Sequence, residues 1–572
     1  MRQAAKRAAM LIALIAALGF GMSGHAKTIT LKIIETTDTH GALFPYDFIE
    51  AKAAPTSLSQ VFTYVKQQRA NPHQQVILLD NGDILQGQPT VYFSNFERTD
   101  REHLCASVMN FMRYDAATIG NHDVEPGHEV YDQLVKAFQF PWLAANALKT
   151  GTNEPYFGAY AVLERGGVKI AVLGLTTPGV PNWLPGNLWE GITYADMVES
   201  AKYWVPLIQQ TERPDILIGL FHSGVDFTYG GATADTPMNE NAAELVARRV
   251  PGFDVVFTGH DHQSAKKTIT NQAGTPVLIL GGSHSARTVA VANITLNGQK
   301  KSVTGELIGI KRFAPDAEFQ ARFAQAIEDV KAYVNKPIGR FTATISTREA
   351  MFGDSAFVDL IHRAQLELTK ADVSFAAPLS FDAAIREGEI FARDLFNLYK
   401  YENLLYTMRL TGREIHDALE YSYGQWFYQM SGADDHLILF KQDGETATRS
   451  YNYDSAAGIV YTVDVSQPAG SRVTIISMAD GAPFDENTSY SVAVNSYRGN
   501  GGGGHLTVGA KIPKAELEAR ILSSTTKDLR YLMMKWIERQ RTVTPEALGN
   551  WTVIPAEWWR QGKAKDVRLL YH

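Results

Sequence analysis

The sequence has one cysteine, Cys105, in 572 residues, and this scarcity excludes several kinds of protein. A single thiol allows no internal disulfide and no zinc site built from cysteines. Because Cys105 lies in an apolar, helix-like stretch, we interpret it as a small buried side chain rather than as a nucleophile. Excess positive charge is also missing. The net charge of -7 and the pI near 6.1 argue against a general binder of nucleic-acid polymers or anionic membranes.

Long apolar runs are missing after the N-terminus. Residues 10–22 form one apolar run, which follows three basic residues and precedes small residues at positions 24 and 26. The run is too short to span a bilayer comfortably, and the small residues fit a signal-peptidase cleavage site. The sequence therefore predicts a signal peptide at 1–26, a periplasmic or secreted mature protein, and no membrane anchor.

The length of the chain predicts more than one hydrophobic core. Residues 27–313 alternate strand-like apolar runs with helical stretches such as 58–69 and 194–211. Strands are predicted at 29–34, 76–79, 116–119, 216–220 and 255–257. This alternation is typical of an α/β domain.

The second half of the chain has a different texture. Residues 314–344 contain a polar, helix-prone stretch, which we interpret as a connecting helix. Residues 345–550 combine amphipathic helices, such as 357–370 and 412–421, with strand-and-turn segments. This pattern predicts a separate, smaller α/β (α+β) domain, and we interpret residues 551–572 as a C-terminal tail.

Five short polar clusters follow apolar, strand-like runs of the first domain. They are Asp38-Thr39-His40, Gly82-Asp83, Gly120-Asn121-His122-Asp123, His222-Ser223-Gly224 and Gly259-His260-Asp261-His262. A sheet fixes where each strand ends, so ligands far apart in sequence can meet at one edge. Each cluster alone could be a polar strand cap. The five together predict a site for two metal ions.

The residue types in these clusters suit transition metals. Asp38 and His40 are two positions apart and can bind one cation together. Asp83 can bridge two cations because a carboxylate has two oxygens. Mixed nitrogen and oxygen ligands favour zinc, manganese, cobalt or iron over calcium. Two adjacent divalent ions can activate water and neutralise a phosphoryl group.

In their order and spacing, the five clusters resemble those of the calcineurin-like metallophosphoesterases. More narrowly, the chain is similar to the secreted 5′-nucleotidases, which include UDP-sugar hydrolases and 2′,3′-cyclic-nucleotide 2′-phosphodiesterase/3′-nucleotidases. The resemblance implies a four-layer αββα catalytic domain followed by an α/β nucleotide-recognition domain. It also implies that the chain hydrolyses nucleotide phosphoesters and releases nucleoside and phosphate.

The resemblance further implies a role for each residue of the clusters. One metal would be held by Asp38, His40, Asp83 and His262, and the other by Asp83, Asn121, His222 and His260. His122 would lie over the phosphate, where it stabilises the transition state or protonates the leaving oxygen. The family usually places an Asp three positions after this histidine, where this sequence has Glu125. Either Glu125 or Asp123 is therefore expected to pair with His122.

In the family, the nucleobase lies between two aromatic rings of the second domain. The resemblance implies Tyr401 for one ring and, for the other, His505 in the glycine-rich loop, with Tyr497 as the alternative. Base stacking tolerates different bases because every base has a π-face. The four glycines at 501–504 could either cradle an anion or form a flexible loop. Arg386 is a candidate phosphate contact.

Residues 376–383 depart from the phosphate-contacting segment of typical 5′-nucleotidases. Together with residues 495–498, they make the chain more similar to the cyclic-phosphodiesterase/3′-nucleotidase branch. The expected partner is a nucleotide, and the chain is expected to be a monomer that binds no nucleic-acid polymer. The alternatives are a hydrolase for UDP-sugars or other phosphoesters and a nucleotide-binding protein without catalysis.

Overall fold

The computed structural model describes residues 28–298, 300–442 and 444–571. The predicted signal peptide at 1–26 lies outside the described residues. Within the described part of the chain, every helix is too short or too polar to cross a bilayer.

The first domain contains two six-stranded sheets, each parallel in its centre. The strands of the first sheet, in spatial order, are Lys300–Gly309, Thr288–Asn297, Ile29–Thr36, Gln75–Asp80, Ala116–Thr118 and Trp142–Leu143. Those of the second are Ala265–Thr270, Pro276–Gly281, Val255–Thr258, Ile216–His222, Val168–Thr176 and Tyr160–Arg165. The strands predicted at 29–34, 76–79, 116–119, 216–220 and 255–257 are all confirmed. Their continuous β-branched and leucine-rich runs are buried on both faces, as in parallel sheets.

The two sheets pack face to face and are covered by helices on their outer faces. Leu31 and Ile33 of the first sheet share a buried cluster with Ile218 and Leu220 of the second. The main helices are Leu58–Arg69, Leu104–Met112, His128–Ala137, Met197–Thr211 and Ala243–Arg249. Helix Leu58–Arg69 packs on the first sheet, and helix Met197–Thr211 packs on the second. The expected αββα arrangement is confirmed.

The expected connecting helix is present, but it packs firmly on the first domain. It spans Ala317–Val334, and the Asp316 side chain accepts a hydrogen bond from the backbone N–H of Phe319 at its start. Phe319 and Phe323 are buried in the same core as helix Leu58–Arg69. The helix is therefore amphipathic rather than simply polar, because its aromatic face covers the first sheet's outer layer.

The second domain is built around a five-stranded sheet. In spatial order its strands are Ser455–Ala457, Val373–Ala376, Ser489–Asn495, Leu404–Thr411 and Ile521–Asp528. Two three-stranded sheets accompany it: Gly388–Phe391, Pro337–Phe341 and Thr542–Val543, and Val473–Met478, Ile459–Asp464 and Trp551–Ile554. The main helices are Ala356–Thr369, Gly412–Trp426, Leu529–Gln540 and Ala556–Tyr571. The helices predicted at 357–370 and 412–421 are confirmed, and the second is one turn longer than predicted.

The last residues differ from the expected tail. Strand Trp551–Ile554 pairs in parallel with Ile459–Asp464, and helix Ala556–Tyr571 follows it. Asp566 of this helix is fully buried and accepts hydrogen bonds from two backbone N–H groups, those of Leu437 and Ile438. The segment therefore belongs to the second domain's core. Most of the other charged residues of the helix, such as Arg560, Lys565 and Arg568, are exposed.

Several side chains join the two domains. The Tyr92 hydroxyl donates to Asp528 Oδ2 at 2.9 Å, and Gln86 Nε2 donates to the carbonyl oxygen of Lys400 at 3.3 Å. Lys514 Nζ lies 3.3 Å from the carbonyl oxygen of Pro181. The Gln86 contact holds the loop after strand Gln75–Asp80 against the segment that contains Tyr401.

Candidate metal centre and adjoining cavity

The predicted ligands meet at one edge of the two sheets. Asp38, Asp83 and Asn121 follow neighbouring parallel strands of the first sheet. His222 ends a parallel strand of the second sheet, and His260 follows the next one. Because the carboxyl ends of parallel strands lie on the same side of a sheet, packing the sheets brings both sets of loops together.

One group of ligands consists of Asp38, His40 and His262. Their candidate ligand atoms all lie within 4.8 Å of one another. His40 Nε2 is 2.9 Å from His262 Nε2, and His262 Nε2 is 3.6 Å from Asp38 Oδ1. Three donors of this kind around one point can hold a divalent ion.

A second group consists of Asp83, His222 and His260, again within 4.8 Å of one another. His222 Nε2 lies 3.2 Å from Asp83 Oδ2 and 3.2 Å from Asn121 Oδ1. Asn121 is thus placed with this group, as expected. The backbone also links the groups, because the His40 N–H donates to the Asp83 carbonyl oxygen at 2.9 Å.

The hydrogen bonds behind the histidines fit them for metal binding. His40 Nδ1 lies 3.0 Å from the Gln86 carbonyl oxygen, and His222 Nδ1 lies 2.6 Å from the Asn81 carbonyl oxygen. A carbonyl accepts only from N–H, so Nδ1 carries hydrogen in both rings and Nε2 faces the centre. The buried Asp83 Oδ2 has no regular hydrogen bond of its own. This donor set fits a cation.

Most of the ligands have an unusual backbone conformation. A positive φ is uncommon for residues other than glycine and costs free energy unless the surroundings impose it. Five of the seven predicted ligands have one: Asp38 (49°), His40 (47°), Asp83 (58°), His260 (76°) and His262 (61°). Each strand therefore turns sharply where it ends, and the turn points the side chain back into the centre.

The electrostatics of the two groups differ. Burial and the neighbouring His262 hold the pKa of His40 well below its usual range, and burial lowers the pKa of His262. Both imidazoles are therefore neutral, as ligation requires. Burial opposes charge on His222, but Asp83 outweighs it and raises the pKa of His222 to about 10. A cation that binds there must displace this proton.

His122 pairs with Glu125, and this answers a question that the sequence left open. His122 Nδ1 lies 2.8 Å from Glu125 Oε1, while the His122 backbone N–H donates to Asp83 Oδ1 at 2.8 Å. Burial opposes charge on His122, but the carboxylates of Glu125 and Asp83 raise its pKa to about 10. The longer glutamate side chain therefore reaches the histidine three positions away.

A cavity of about 310 Å³ extends from this centre to the second domain. Four of its lining residues come from the metal centre and its neighbourhood: Asn121, His122, Glu125 and His260. The opposite wall comes from the second domain and includes Tyr401, Asn403, Tyr451, Asn452, Asn495, Tyr497 and Gly503. Trp183, Leu184, Tyr229, Glu240 and Leu379 complete the lining. One cavity thus joins the ligand cluster to a group of tyrosines.

Two family models match this chain. The calcineurin-like phosphoesterase model matches residues 31–264, and the 5′-nucleotidase C-terminal domain model matches residues 337–510. The chain is a calcineurin-like phosphoesterase with a 5′-nucleotidase C-terminal domain. Phosphoesterases of this kind use two divalent ions, in agreement with the two ligand groups.

Related proteins match this phosphoesterase over most of its length. A trifunctional nucleotide phosphoesterase of Bacillus subtilis is 27% identical over 607 aligned residues, which cover 93% of this chain and 39% of that protein. The chain therefore spans about two fifths of that relative. A 2′,3′-cyclic-nucleotide 2′-phosphodiesterase/3′-nucleotidase of Haemophilus influenzae is 26% identical, with 94% of this chain and 89% of that protein covered.

A solved structure shares the fold of the phosphoesterase. It is the crystal structure of a candidate 5′-nucleotidase from Staphylococcus aureus in complex with α-ketoglutarate. It superposes with a TM-score of 0.78 at 21% identity and covers 92% of this chain and 99% of the other. At this identity the similarity concerns the fold, and it supports the two-domain architecture described above.

Asp123 of the phosphoesterase does not pair with His122, although the sequence allowed it. Its carboxylate accepts hydrogen bonds from four backbone N–H groups, those of Asp83 (2.9 Å), Ile84 (2.8 Å), Leu85 (3.1 Å) and Gly120 (2.7 Å). Asp123 is fully buried. It therefore fixes the loop that carries Asp83 and is not a catalytic group.

We expect Asp123→Ala to lower the free energy of unfolding by about 3 kcal/mol or more, because four backbone donors lose their acceptor and each unsatisfied one costs about 1 kcal/mol or more. Urea denaturation followed by tryptophan fluorescence measures this change. Asp100→Ala, at an exposed position, is the matched control. Equal stability of the two variants would show that the loop does not depend on Asp123.

The two sequence candidates for the second base-stacking ring, His505 and Tyr497, lie in different environments. His505 is 1% exposed and packs edge-to-face against Tyr421, with ring centres 5.3 Å apart. It lies behind the cavity wall, because the glycine-rich loop turns its side chain into the core. Tyr497, the alternative, lines the cavity. His505 is therefore not placed to contact a base in the cavity, whereas Tyr497 is.

Arg386, the candidate phosphate contact, lies on the surface and not in the cavity. It lies in the exposed turn between strands Ala384–Ile385 and Gly388–Phe391, and it is not among the residues that line the cavity. The positive charge suggested an anion contact, but the strand pairing carries this turn to the surface.

The structure adds functional candidates that the sequence did not reveal. Tyr451 stands nearly perpendicular to Tyr401 and to Tyr497, with ring centres 6.2 Å and 6.5 Å away. Glu240 Oε1 lies 3.0 Å from His260 Nε2, and Trp183 stacks on the same imidazole at 5.5 Å. Trp183 and Tyr451 lie in short helical turns and Glu240 in a loop, and none belongs to a motif. Only the excess of tyrosine around position 451 could have drawn attention to one of them.

The glycines at 501–504 were expected either to cradle an anion or to form a flexible loop. The structure gives a different reason for two of them, because their backbone packs closely against neighbouring side chains. A Cβ at Gly502 would lie 2.6 Å from the Tyr497 ring. At Gly503, where φ is +68°, a Cβ would collide with Arg498 and Asn452. Glycine is needed here because the loop packs directly against side chains of the cavity wall.

Proposed function

We propose that this phosphoesterase hydrolyses nucleotide phosphoesters and releases nucleoside and phosphate. The observation that carries the proposal is one 310 Å³ cavity that is lined at one end by His122 and the ligand candidates Asn121 and His260, and at the other by three tyrosines of the second domain. The remaining ligand candidates cluster with Asn121 and His260 behind that end. A nucleotide has a phosphate at one end and an aromatic base at the other. The cavity offers a partner for each end within a single space.

The phosphate end would lie against two divalent ions. Asp38, His40 and His262 would hold one, Asn121, His222 and His260 the other, and Asp83 would serve both. Nitrogen and oxygen donors of this kind suit zinc, manganese, cobalt or iron. When bound, such ions supply Lewis acidity and lower the pKa of water. The protein's own part is to orient the ligands. The hydrogen bonds that His40 and His222 donate to the carbonyl oxygens of Gln86 and Asn81 do this.

His122 would act on the substrate directly. Glu125 accepts a hydrogen bond from His122 Nδ1. The other ring nitrogen, Nε2, can therefore interact with the phosphoryl group or the leaving oxygen. A protonated His122 can neutralise charge that develops in the transition state, and it can transfer a proton to the leaving oxygen. The raised pKa favours the protonated form.

The base end would lie in the second domain. Tyr401 and Tyr497 line the cavity, and Tyr451 packs edge-on to both rings. Aromatic stacking holds a base with little regard to its identity. Residues 376–383 and 495–498 favour 2′,3′-cyclic nucleotides and 3′-nucleotides over 5′-nucleotides. The similarity to the Haemophilus 2′,3′-cyclic-nucleotide 2′-phosphodiesterase/3′-nucleotidase supports this choice.

The proposal includes where and in what form the protein acts. The leader-like residues 1–26 support export to the periplasm or the medium. We propose a monomer, because the two domains of one chain supply both ends of the cavity. In this proposal, residues 27–313 bind the phosphate and residues 345–550 bind the base.

A substrate panel tests the proposal. The purified protein with manganese or zinc is incubated with 5′-, 3′- and 2′,3′-cyclic nucleotides and with a UDP-sugar, and phosphate and nucleoside are measured. We expect the 3′- and cyclic nucleotides to be turned over fastest. Preference for the UDP-sugar would replace the nucleotidase assignment. Nucleotide binding without turnover in the presence of metal would indicate a binding protein.

Removal of one stacking ring tests the base site separately. We expect Tyr401→Ala to raise KM for the best nucleotide about tenfold, because stacking on one aromatic ring contributes about 1–3 kcal/mol per base. Steady-state kinetics measure this effect. Tyr203→Ala removes a ring that is 64% exposed on helix Met197–Thr211 and serves as the control. An unchanged KM in Tyr401→Ala would exclude this ring from base binding.

A further inference from the structure

A buried arginine organises the far wall of the cavity. Arg498 is 1% exposed, and a guanidinium group has five N–H donors. It donates to both Asp454 carboxylate oxygens at 2.8 Å, to the Tyr451 carbonyl oxygen at 3.0 Å, to the Gly502 carbonyl oxygen and to Asn452 Oδ1 at 3.4 Å. The five contacts use all five donors and join the segment around Tyr451 to the glycine-rich loop.

This arrangement fixes which way the Asn452 amide faces. A guanidinium group has no acceptor, so only the oxygen of the Asn452 side chain can face Arg498. The amide nitrogen, with its two N–H donors, is therefore on the opposite side. Asn452 is half-buried and lines the cavity next to Tyr451. Within the described part of the chain, no residue accepts a hydrogen bond from this nitrogen.

The other two asparagines of the cavity wall are engaged differently. Asn495 Oδ1 accepts from the backbone N–H of Arg498 at 2.8 Å, as the cap of the short helix Ser496–Gly499. Asn403 Nδ2 lies 3.5 Å from the Tyr399 hydroxyl. Both amides therefore face protein groups. The Asn495 side chain also forms a hydrogen bond with Tyr399. Among these three asparagines of the described chain, Asn452 is therefore the one whose amide nitrogen has no protein acceptor.

The position of Asn452 is held rigidly. A Cβ at position 503 would collide with Asn452 Oδ1 and with Arg498. Because residue 503 is glycine, the loop packs directly against these two side chains. Asp454, which pairs with Arg498, is itself buried. A donor that is pre-oriented in this way loses little conformational entropy when it binds a ligand.

We propose that Asn452 is a specificity-determining residue that donates a hydrogen bond to a carbonyl oxygen on the edge of the bound base. The inference rests on the proposed function, because it needs the base to stack beside Tyr451. The substrate class it selects is nucleotides of oxo bases, namely uracil, hypoxanthine and guanine. Stacking supplies tolerant affinity, and the amide supplies the preference among bases.

Nucleoside binding tests this inference without hydrolysis. Inosine and adenosine differ at purine position 6, where inosine has a carbonyl oxygen and adenosine an amino group. Calorimetry on the full chain gives Kd for both. In Asn452→Asp one carboxylate oxygen can still accept from Arg498, while the other replaces the donor. We expect the ratio of the inosine Kd to the adenosine Kd to rise about tenfold, as for one hydrogen bond exchanged for a repulsion.

Two further variants complete the test. Asn452→Ala removes the donor without adding an acceptor, and we expect it to weaken inosine several-fold with no gain for adenosine. Asn71→Asp makes the same chemical change at an exposed position and is expected to leave both Kd values unchanged. Thermal unfolding verifies that each variant is folded.

The outcomes separate this inference from the proposed function. An unchanged Kd ratio in folded Asn452→Asp, or equal weakening of both nucleosides, would overturn the role of Asn452 while phosphate release from nucleotides still supported the enzyme assignment. Absence of nucleoside binding by the wild-type protein would also overturn it. Phosphate release in the substrate panel is measured independently of either result.

Discussion

Asp83→Ala is expected to lower kcat/KM for nucleotides by roughly four orders of magnitude, which corresponds to about 5 kcal/mol of lost transition-state stabilisation. Asp83 lies within 4.8 Å of His222 and His260, and its backbone carbonyl anchors the loop that carries His40. Loss of the carboxylate removes the one side chain that could bind both cations. It also leaves the His122 N–H without its acceptor.

The measurement is a paired one. Metal content is determined by elemental analysis after dialysis against manganese or zinc, and activity is determined on the same samples. We expect the bound metal to fall from about two ions per chain to one or fewer. Asp100→Asn, at an exposed position, should retain both metal and activity. Two tightly bound ions together with full activity in Asp83→Ala would refute the bridging role.

His122→Ala should produce a large loss of a different kind. General acid catalysis by a positioned histidine contributes about 10²–10⁴ in rate, and we expect kcat to fall within that range. His122 contributes no side-chain atom to either ligand group, so metal content should remain at the wild-type value. The combination of full metal and low kcat distinguishes an acid from a ligand.

Steady-state kinetics and elemental analysis again provide the test. His73→Ala replaces an exposed histidine and controls for nonspecific effects. Substrates with leaving groups of low pKa need less protonation, so they should suffer less from His122→Ala. A kcat within threefold of the wild-type value on nucleotides, or loss of metal equal to that in Asp83→Ala, would be incompatible with the role given to His122.

The metal centre was predictable because residues that follow adjacent parallel strands lie close together in space, even when they are far apart in sequence. Asp38, Asp83 and Asn121 each follow a strongly apolar strand, and adjacent parallel strands end at the same edge. The strand ends of the second sheet obey the same rule. The sequence therefore contained both the residue types and the reason for their convergence.

The cavity wall was less predictable, because it depends on loops whose paths follow from tertiary packing. Tyr451 and Asn452 belong to a three-residue 3₁₀ turn, and their placement depends on Arg498, which lies more than forty residues away in sequence. From the sequence, His505 was the first candidate for the second ring and Tyr497 the alternative. Only the turn of the glycine-rich loop decides which ring faces the cavity and which enters the core.

Charged residues posed a similar problem. Asp123 and Glu125 both lie close to His122 in sequence, and the choice between them depends on which carboxylate is captured by backbone N–H groups. The four donors around Asp123 leave Glu125 as the partner. Arg386 was suitable by charge alone, but it lies in an exposed turn between strands of two different sheets.

Gln86 lies between the two ends of the proposed ligand. Its backbone carbonyl orients the His40 ring, and its side chain holds the carbonyl of Lys400, the residue before Tyr401. Gln86 therefore helps to fix the distance between the phosphate end and the base end of the cavity. A compound much shorter than a nucleoside phosphate would reach only one end of that span.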